Sequence, residues 1–208
     1  MSMSISYEET GRRNQKARTR RALVSAARDM VRLGVTPTVE EAAAAASVSR
    51  ATAYRYFPNQ QALLVAAHPE VDAASLLGEG APTDPEARLD RVVTELAKIF
   101  LDSEESYRNM LRLSLASGSP GPDLALRKGR RFIWIEDALA PLRREFSSSE
   151  FARLVHAISI TIGIEALITL VDLGGLSRDR AIEVMRWAAK GLLRAAVAQA
   201  VTGDEDTT

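Results

Sequence analysis

Basic, aromatic and hydroxyl side chains are concentrated in the stretch SVSRATAYRYFPN, residues 47–59. Arg50 and Arg55 are positively charged, and Tyr54 and Tyr56 carry phenolic hydroxyls. All of these groups donate hydrogen bonds that the phosphate oxygens of a nucleic acid accept. An arginine can also donate to the two acceptors on the major-groove edge of guanine. The stretch therefore indicates a nucleic-acid surface, and a basic-aromatic contact between helices is the structural alternative.

Charge is unevenly distributed along the 208 residues, although the chain as a whole is neutral. Residues 1–68 contain ten Lys or Arg and five Asp or Glu, whereas the remainder contains 17 and 22. A basic N-terminal part joined to an acidic remainder favours a polyanion as partner. On charge alone, a solvated helix face without a partner is an equal alternative.

The composition restricts the chemistry that the chain can perform. It contains no Cys, and its two His lie far apart in the sequence, which excludes disulfides, thiol chemistry and zinc-type sites. No Walker loop, G-x-S-x-G or dinucleotide fingerprint is present. Paired acids such as Glu104 and Glu105 are adjacent, so they do not face each other on a helix. We expect no enzyme, no cofactor and no metal site, and an all-α enzyme or carrier is the alternative class.

The sequence also favours a cytoplasmic protein without a membrane partner. Its N-terminus lacks the charged-then-apolar layout of a signal peptide. The longest apolar stretch, 155–171, is interrupted by His156 and Glu165, and it is shorter than the roughly 20 residues of a membrane span.

Apolar residues recur at helical spacing and no long stretch alternates like a strand, so the sequence predicts an all-α fold. In the first predicted helix, 16–34, Leu23, Ala27 and Val31 share one side and arginines share the other. Gly34 is expected to end this helix because glycine readily adopts the left-handed conformation of a C-cap.

Two further short helices follow at once. T-V-E-E predicts a capping box between Thr38 and Glu41, starting a second helix that runs to about Ala46. After a turn, Ser49 caps a third helix, which must stop before Pro58 because proline cannot continue it. Three short helices, the last one compact and basic, form a helix-turn-helix arrangement.

In such an arrangement the third helix enters the major groove of DNA. Small residues at its N-terminal end allow a close approach to base edges, Arg50 reaches guanine or phosphate, and Phe57 turns inward as an anchor. Thr38 places a hydroxyl and free N–H groups at a helix N-terminus, where phosphate binds. The predicted DNA contacts are Thr38, Ser49, Arg50, Ala51, Thr52, Tyr54, Arg55 and Tyr56.

The remaining sequence predicts further helices separated by loops at 78–85 and 117–123. Asn59 or Gln60 should start a fourth helix that continues past Pro69 with a kink. The other predicted helices are 85–102, begun by Asp84 and Pro85, 104–117, 123–146 with a kink at Pro141, 150–173 after a capping box at 147–150, and a last helix from the cap at Ser177 to Val201.

The run TVEEAAAAASVSRATAYRYFPNQQALL closely resembles the DNA-binding domain of TetR-type transcriptional regulators over about residues 15–66. The resemblance implies a homodimer with an N-terminal DNA-binding domain and a C-terminal domain that senses a ligand and dimerises. The expected organisation is a flexible arm 1–14, a DNA-binding domain 15–67, a helical effector-binding and dimerisation domain 68–202, and a disordered tail 203–208.

The sequence departs from the family pattern at two positions. Ser47 stands where the family usually has a turn glycine, and serine suits this position if the turn does not need a positive φ. Gln60 stands where the family commonly has a lysine, so this predicted phosphate contact should be weaker than in the family.

Residues of three predicted helices could line an apolar cavity, although each of them could equally belong to the core. The resemblance implies a ligand site among them, for a small and mainly apolar effector. The candidate residues are Phe100, Tyr107, Met110, Leu111, Arg131, Trp134, Ile135, Ala138 and Glu165. Glu165 lies in an apolar segment, so its carboxylate needs a partner. It could bond a polar group across the dimer, hold a ligand amine, or meet Arg131 or Arg186, and structural pairing is favoured over a ligand role.

The last two predicted helices should form a four-helix interface with those of a second subunit. The residues predicted at this interface are Gly163, Ala166, Leu170, Met185, Ala189, Leu192 and Ala196. Together these expectations describe a ligand-responsive regulator, a repressor that its effector releases from a palindromic double-stranded DNA operator. A DNA-binding regulator that senses no ligand is the alternative.

Overall fold

The helical spacing of apolar residues produces an all-α structure, as predicted. The computed structural model describes residues 7–68, 73–116 and 122–205, and within these ranges it contains ten α-helices and no strand. The helices are α1 Tyr7–Arg32, α2 Val39–Ala45, α3 Arg50–Tyr56, α4 Gln60–Ala67, α5 Pro85–Asp102, α6 Glu104–Ala116, α7 Pro122–Ala138, α8 Ser148–Ile160, α9 Ile164–Ile168 and α10 Arg178–Glu205. A 3₁₀ turn, Ala140–Leu142, follows α7, and a π-helical segment, Thr169–Leu173, follows α9.

Side-chain caps start the short helices where the sequence predicts them. Thr38 and Glu41 form the capping box of α2, with the Thr38 N–H donating to Glu41 Oε2 at 2.7 Å. Ser49 caps α3, and the Asn59 side chain caps α4 by accepting from the N–H of Ala62 at 2.8 Å. Because each cap satisfies N–H groups that have no partner within the helix, it fixes the residue where that helix begins.

The first helix is longer than its predicted span. It begins at Tyr7 rather than near residue 16, so residues 7–14, expected in a flexible arm, are helical. Residues 1–6 of that expected arm lie outside the described ranges. Its C-terminal end agrees with the prediction, because Gly34 has a φ of 76° and the N–H of Val35 donates to the Met30 carbonyl at 2.9 Å.

The turn between α2 and α3 does require a positive φ. Ser47 has a φ of 53°, and the N–H of Val48 donates across it to the Ala43 carbonyl at 2.9 Å. This conformation costs a residue with a Cβ atom on the order of 1 kcal/mol, which glycine avoids. Serine was expected to suit this turn only if no positive φ was needed, and the turn does need one.

Two predicted helices end earlier than expected because of proline. α4 ends at Ala67 instead of continuing past Pro69, since His68 precedes the proline and adopts an extended backbone with ψ 125°. α7 ends at Ala138 instead of running with a kink to residue 146. Pro141 has no N–H for the carbonyl of Asp137, and the guanidinium of Arg88 donates to that carbonyl instead, at 2.7 Å.

The predicted helix 150–173 is broken at Gly163. α8 starts from the predicted capping box at Ser147 but ends at Ile160, and the segment from Ile164 to Leu173 is bent from it by 43°. Gly163 has a φ of 125°, and a Cβ atom there would lie 2.0 Å from Arg131 Nη1. Only glycine permits both this backbone conformation and this close approach.

The last helix also differs at its end. Ser177 caps it, accepting from the N–H of Arg180 at 3.3 Å, as predicted. The helix continues to Glu205 rather than ending near Val201, so residues 203–205 of the expected disordered tail are helical. Residues 206–208 of that tail lie outside the described ranges.

One hydrophobic core connects the N-terminal unit, α1–α4, with the C-terminal unit, α5–α10. α4 packs on α6 and α7, and His68 at its end is 2% exposed. The His68 Nε2 atom lies 3.1 Å from the Ser106 hydroxyl, and the His68 ring centroid lies 4.3 Å from that of Tyr107. On the other side, Arg28 of α1 donates to the Ala67 carbonyl at 3.0 Å. The end of α4 is therefore held by contacts with both units.

In the described part of the chain, no single helix is long and apolar enough to cross a bilayer. Only the bent pair Ser148–Ile160 and Ile164–Leu173 reaches that length and composition when its two parts are counted together.

We predict that Ser47→Gly stabilises the protein by about 0.5–1 kcal/mol, because glycine adopts the positive φ of this turn without steric strain. Urea unfolding at one fixed protein concentration measures the change. Ser47→Ala is the matched control and should bring no gain, since alanine keeps the Cβ atom. Equal stabilisation by both variants would show that the hydroxyl, rather than the backbone conformation, is unfavourable.

Candidate nucleic-acid interface

α3 lies at the surface with the predicted contact residues on its outer side. Its inner side is anchored by Ala53 and, just beyond the helix, by Phe57, which are 0% and 3% exposed. Arg50, Ala51 and Arg55 are exposed on the outer side. Burial of the inner side fixes how the outer side faces a ligand, so α3 can present a rigid surface to DNA.

Small polar residues occupy the N-terminal end of α3, as the sequence predicts. The Ser49 hydroxyl accepts from the backbone N–H of Thr52 at 3.3 Å and donates to the Thr52 hydroxyl at 2.9 Å. Both hydroxyls therefore hold the start of the helix, while the small side chain of Ala51 is exposed beside them. This end is narrow enough to approach base edges in a major groove.

One basic group of α1 and one of α3 each lie over an aromatic ring at the C-terminal end of α3. The Arg55 guanidinium lies 5.9 Å from the centre of the Tyr56 ring, and the Arg20 guanidinium lies 5.5 Å from the centre of the Phe57 ring. Arg20 and Arg55 are both exposed, whereas Tyr56 is half-buried. The basic surface of α3 thus continues onto α1, as expected for binding to a phosphate backbone.

Two predicted phosphate contacts are used inside the protein instead. The Thr38 hydroxyl and N–H both donate to Glu41 Oε2, at 2.9 and 2.7 Å. The Gln60 amide donates to the carbonyls of Pro37 and Thr36, at 3.1 and 3.4 Å. In this conformation neither side chain points its donor at a phosphate, because each one fixes the loop before α2.

Glu40 also belongs to this surface, although no motif in the sequence indicates it. Its Oε1 atom accepts from the Tyr54 hydroxyl at 2.6 Å and lies 2.7 Å from Arg50 Nη2. The hydrogen bond from Tyr54 is the main cause that lowers the pKa of Glu40, and the same bond raises the pKa of Tyr54. Glu40 and Tyr54 lie on different helices, on either side of the turn between α2 and α3. The helical periodicity of the sequence therefore does not indicate their contact.

The apolar residues predicted for the ligand pocket lie in the core or pack against it, which was the alternative interpretation. The residues Phe100, Tyr107, Met110, Trp134, Ile135 and Ala138 are buried, and Leu111 packs against them. Phe100 and Tyr107 meet edge to face, with ring centroids 4.8 Å apart. A ligand in this region would have to displace or separate side chains that pack closely in this conformation.

Glu165 pairs with Arg131, as the structural interpretation predicts. Glu165 Oε2 lies 3.3 Å from Arg131 Nη1, which also donates to the Ile162 carbonyl at 2.6 Å. The Glu165 side chain is 49% exposed, so the carboxylate does not lie in an apolar core. Arg131 thereby satisfies a carbonyl at the break between α8 and α9, which is a structural role.

The residues predicted at the dimer interface differ in their exposure within the single chain, and the interface stays a prediction. Met185 and Ala189 are 3% and 0% exposed within the single chain, so they offer little surface to a second subunit. Gly163 is buried under Arg131, and the other predicted residues, Ala166, Leu170, Leu192 and Ala196, are half-buried. Arg186 of the same helix pairs with Asp90 on α5, with Arg186 Nη2 and Asp90 Oδ2 2.5 Å apart.

A different apolar surface is exposed on α8 and α10. Trp187 and Ile160 are 76% and 78% exposed, and Val184 is 37% exposed. The outward residues of α10 follow a helical stripe, Val184, Trp187, Gly191, Ala195 and Ala198. Beside this stripe, a groove of about 190 Å³ lies between α8 and α10, lined by residues such as Leu154, Ala157 and Ala196. We call the exposed stripe together with Ile160 the α8/α10 surface.

Residues 23–67 match the family model described as bacterial regulatory proteins, tetR family. The match includes α2, the turn, α3 and α4, together with the α2 and α3 residues of the nucleic-acid surface, whereas Arg20 of α1 lies before it. It confirms the predicted helix-turn-helix and its DNA-binding role in transcription regulation. A comparison with curated proteins and another with solved structures found no match.

Proposed function

Because the chain is a DNA-binding transcriptional regulator of the tetR family, we propose that it is a repressor released from a palindromic operator by a small, mainly apolar molecule. The structure of α3 supports the proposal most directly. Its outer side carries exposed arginines and small residues, and its inner side is anchored in the core. Since it binds chromosomal DNA in this proposal, the protein acts in the cytoplasm.

The operator is read by two copies of α3. In a homodimer each α3 enters one major groove, and the two half-sites lie about one helical turn, 34–36 Å, apart. Arg50 donates to a guanine edge and selects sequence, while Tyr54, Arg55 and Tyr56 donate to phosphates and set the register. Where the operator overlaps a promoter, the bound dimer prevents RNA polymerase from binding there.

The α8/α10 surface provides the dimer contact in this proposal. Trp187, Val184 and Ile160 expose large apolar side chains on two helices that pack together, and exposed apolar surface of this kind marks protein interfaces. Gly191 and Ala195 lie on the same stripe and permit two helices to approach closely. Two arginines of α10, Arg186 and Arg194, have their charges paired within the same chain, with Asp90 and Glu86 of α5.

The effector acts through the contact between Tyr107 and His68. A ligand that separates α6 from α5 and α7 moves Tyr107, whose ring lies against His68 at the end of α4. α4 packs on α1, α1 packs on α2, and α2 packs on α3. A ligand that binds more tightly to the displaced arrangement shifts the population towards a spacing of the two α3 helices that does not fit the operator.

Two alternatives remain distinguishable from this proposal. A regulator that binds DNA without an effector shares the α3 surface but shows no release. An all-α enzyme or carrier would require a reactive constellation of side chains, whereas the exposed polar residues described above form ion pairs and helix caps.

We predict that Arg50→Ala and Tyr54→Ala each lower operator affinity by roughly 10- to 100-fold while the fold is retained. Fluorescence anisotropy with tiled duplexes from the DNA that flanks the gene identifies the operator and measures the loss at matched salt. Arg50→Ala should also relax sequence preference, whereas Tyr54→Ala should weaken all duplexes alike. Arg144→Ala, an exposed arginine far from α3 in the sequence, is the control. An unchanged operator affinity in either test variant would refute the role assigned to that residue.

We predict that Trp187→Glu converts the dimer into a monomer at micromolar concentration, because the interface would then bury a carboxylate without a partner. Sedimentation equilibrium measures the mass. Leu33→Glu is the matched control, since Leu33 is 81% exposed on the N-terminal unit and should leave the dimer intact. A variant Trp187→Glu that sediments like the unmodified dimer would place the interface elsewhere.

We predict that an apolar compound selected by thermal shift also lowers operator affinity at least tenfold, because it favours the displaced state. Leu111→Trp should weaken that compound by about tenfold, because the larger side chain takes up space that opens when α6 is displaced, and operator affinity should be unchanged. Leu115→Trp, one turn further on the same helix and 75% exposed, should have no effect. Compounds that stabilise the protein but leave the operator bound would favour the regulator that senses no ligand.

A further inference from the structure

An acidic side chain lies within the surface that is expected to meet DNA. Glu40 belongs to the first turn of α2, and its Oε1 atom is the common partner of Arg50 and Tyr54 on α3. The Arg50 side chain is 73% exposed and that of Glu40 is 36% exposed, so the group is open to an approaching ligand.

Glu40 offers these two side chains the same kind of partner that DNA offers. A carboxylate oxygen accepts from a guanidinium and a hydroxyl as a phosphate oxygen does. DNA must therefore exchange one anionic acceptor for another before Arg50 and Tyr54 can bind it. The negative charge of Glu40 also repels a phosphate placed close to it.

We propose that Glu40 is a specificity-determining residue, which competes with DNA phosphates for Arg50 and Tyr54 and so weakens binding to nonspecific DNA more than binding to the operator. The inference rests on the proposed function of α3 as the helix that reads the operator. On nonspecific DNA, Arg50 and Tyr54 exchange the Glu40 carboxylate for phosphate oxygens only, so the exchange adds little binding free energy. In the operator, a guanine edge adds a directed contact to Arg50, which compensates for the loss of Glu40.

The test compares Glu40→Gln with the unmodified protein on two duplexes, the operator and a random sequence of equal length. Gln keeps the size of the side chain but removes its charge, so it holds Arg50 less firmly. Affinity for the random duplex should rise by about tenfold, and operator affinity should rise by no more than about threefold. The salt slope on the random duplex should steepen by about one, because one more arginine neutralises a phosphate.

Two controls separate this competition from a general effect of charge. Asp29→Asn removes the same charge from an exposed position of α1, where Asp29 pairs with Arg32, and should change both affinities little. In the Arg50→Ala background, Glu40→Gln should raise random-duplex affinity by a smaller factor, since one of the two competing donors is gone. Urea unfolding of each variant verifies that the fold is retained.

The outcomes distinguish this inference from the function on which it rests. A lower specificity ratio in Glu40→Gln, with coupling to Arg50, supports the competition. If Glu40→Gln behaves like Asp29→Asn while the unmodified protein still prefers its operator, the inference is overturned and the proposed function stands. If the unmodified protein binds neither duplex, the proposed function is overturned together with the inference.

Discussion

The contact of His68 with α6 is the constraint on which the arrangement of this molecule depends. The end of α4 is held on one side by Arg28 of α1 and on the other by Ser106 and Tyr107 of α6. Because the chain turns into an extended conformation at the residue before Pro69, the histidine enters the core instead of continuing a helix. The two units therefore share one hydrophobic core, and a displacement in the C-terminal unit is transmitted to α4 through packed rings.

The surface of α3 shows how a DNA-binding protein can keep its donors ordered without DNA. Arg50 and Tyr54 meet at one carboxylate oxygen, and the Thr38 and Gln60 donors are satisfied by groups around α2. Internal acceptors thus hold much of the polar surface in a defined geometry before any ligand arrives. Order of this kind reduces the conformational entropy lost on binding, while each internal bond is one that DNA has to replace.

Two kinds of interaction determine where the longer helices break: the local residue type, and side chains that reach the break from other helices. Proline and glycine mark where a helix can end, and both Pro141 and Gly163 do mark such positions. Whether the chain kinks or stops was decided by side chains from other elements. Arg88 of α5 satisfies carbonyls at the end of α7, and Arg131 of α7 satisfies the Ile162 carbonyl at the bend beside Gly163.

The sequence by itself determined the features that depend on neighbours within one or two helical turns. These are the all-α class, the caps at Thr38, Ser49 and Asp84, and the buried anchor beneath α3, because periodicity and capping act over short distances. Only the tertiary structure decided that Glu40 joins Arg50 and Tyr54, and that Met185 faces its own core instead of a partner. Such contacts join residues far apart in the chain, and their distances are set by how whole helices pack, which no local pattern records.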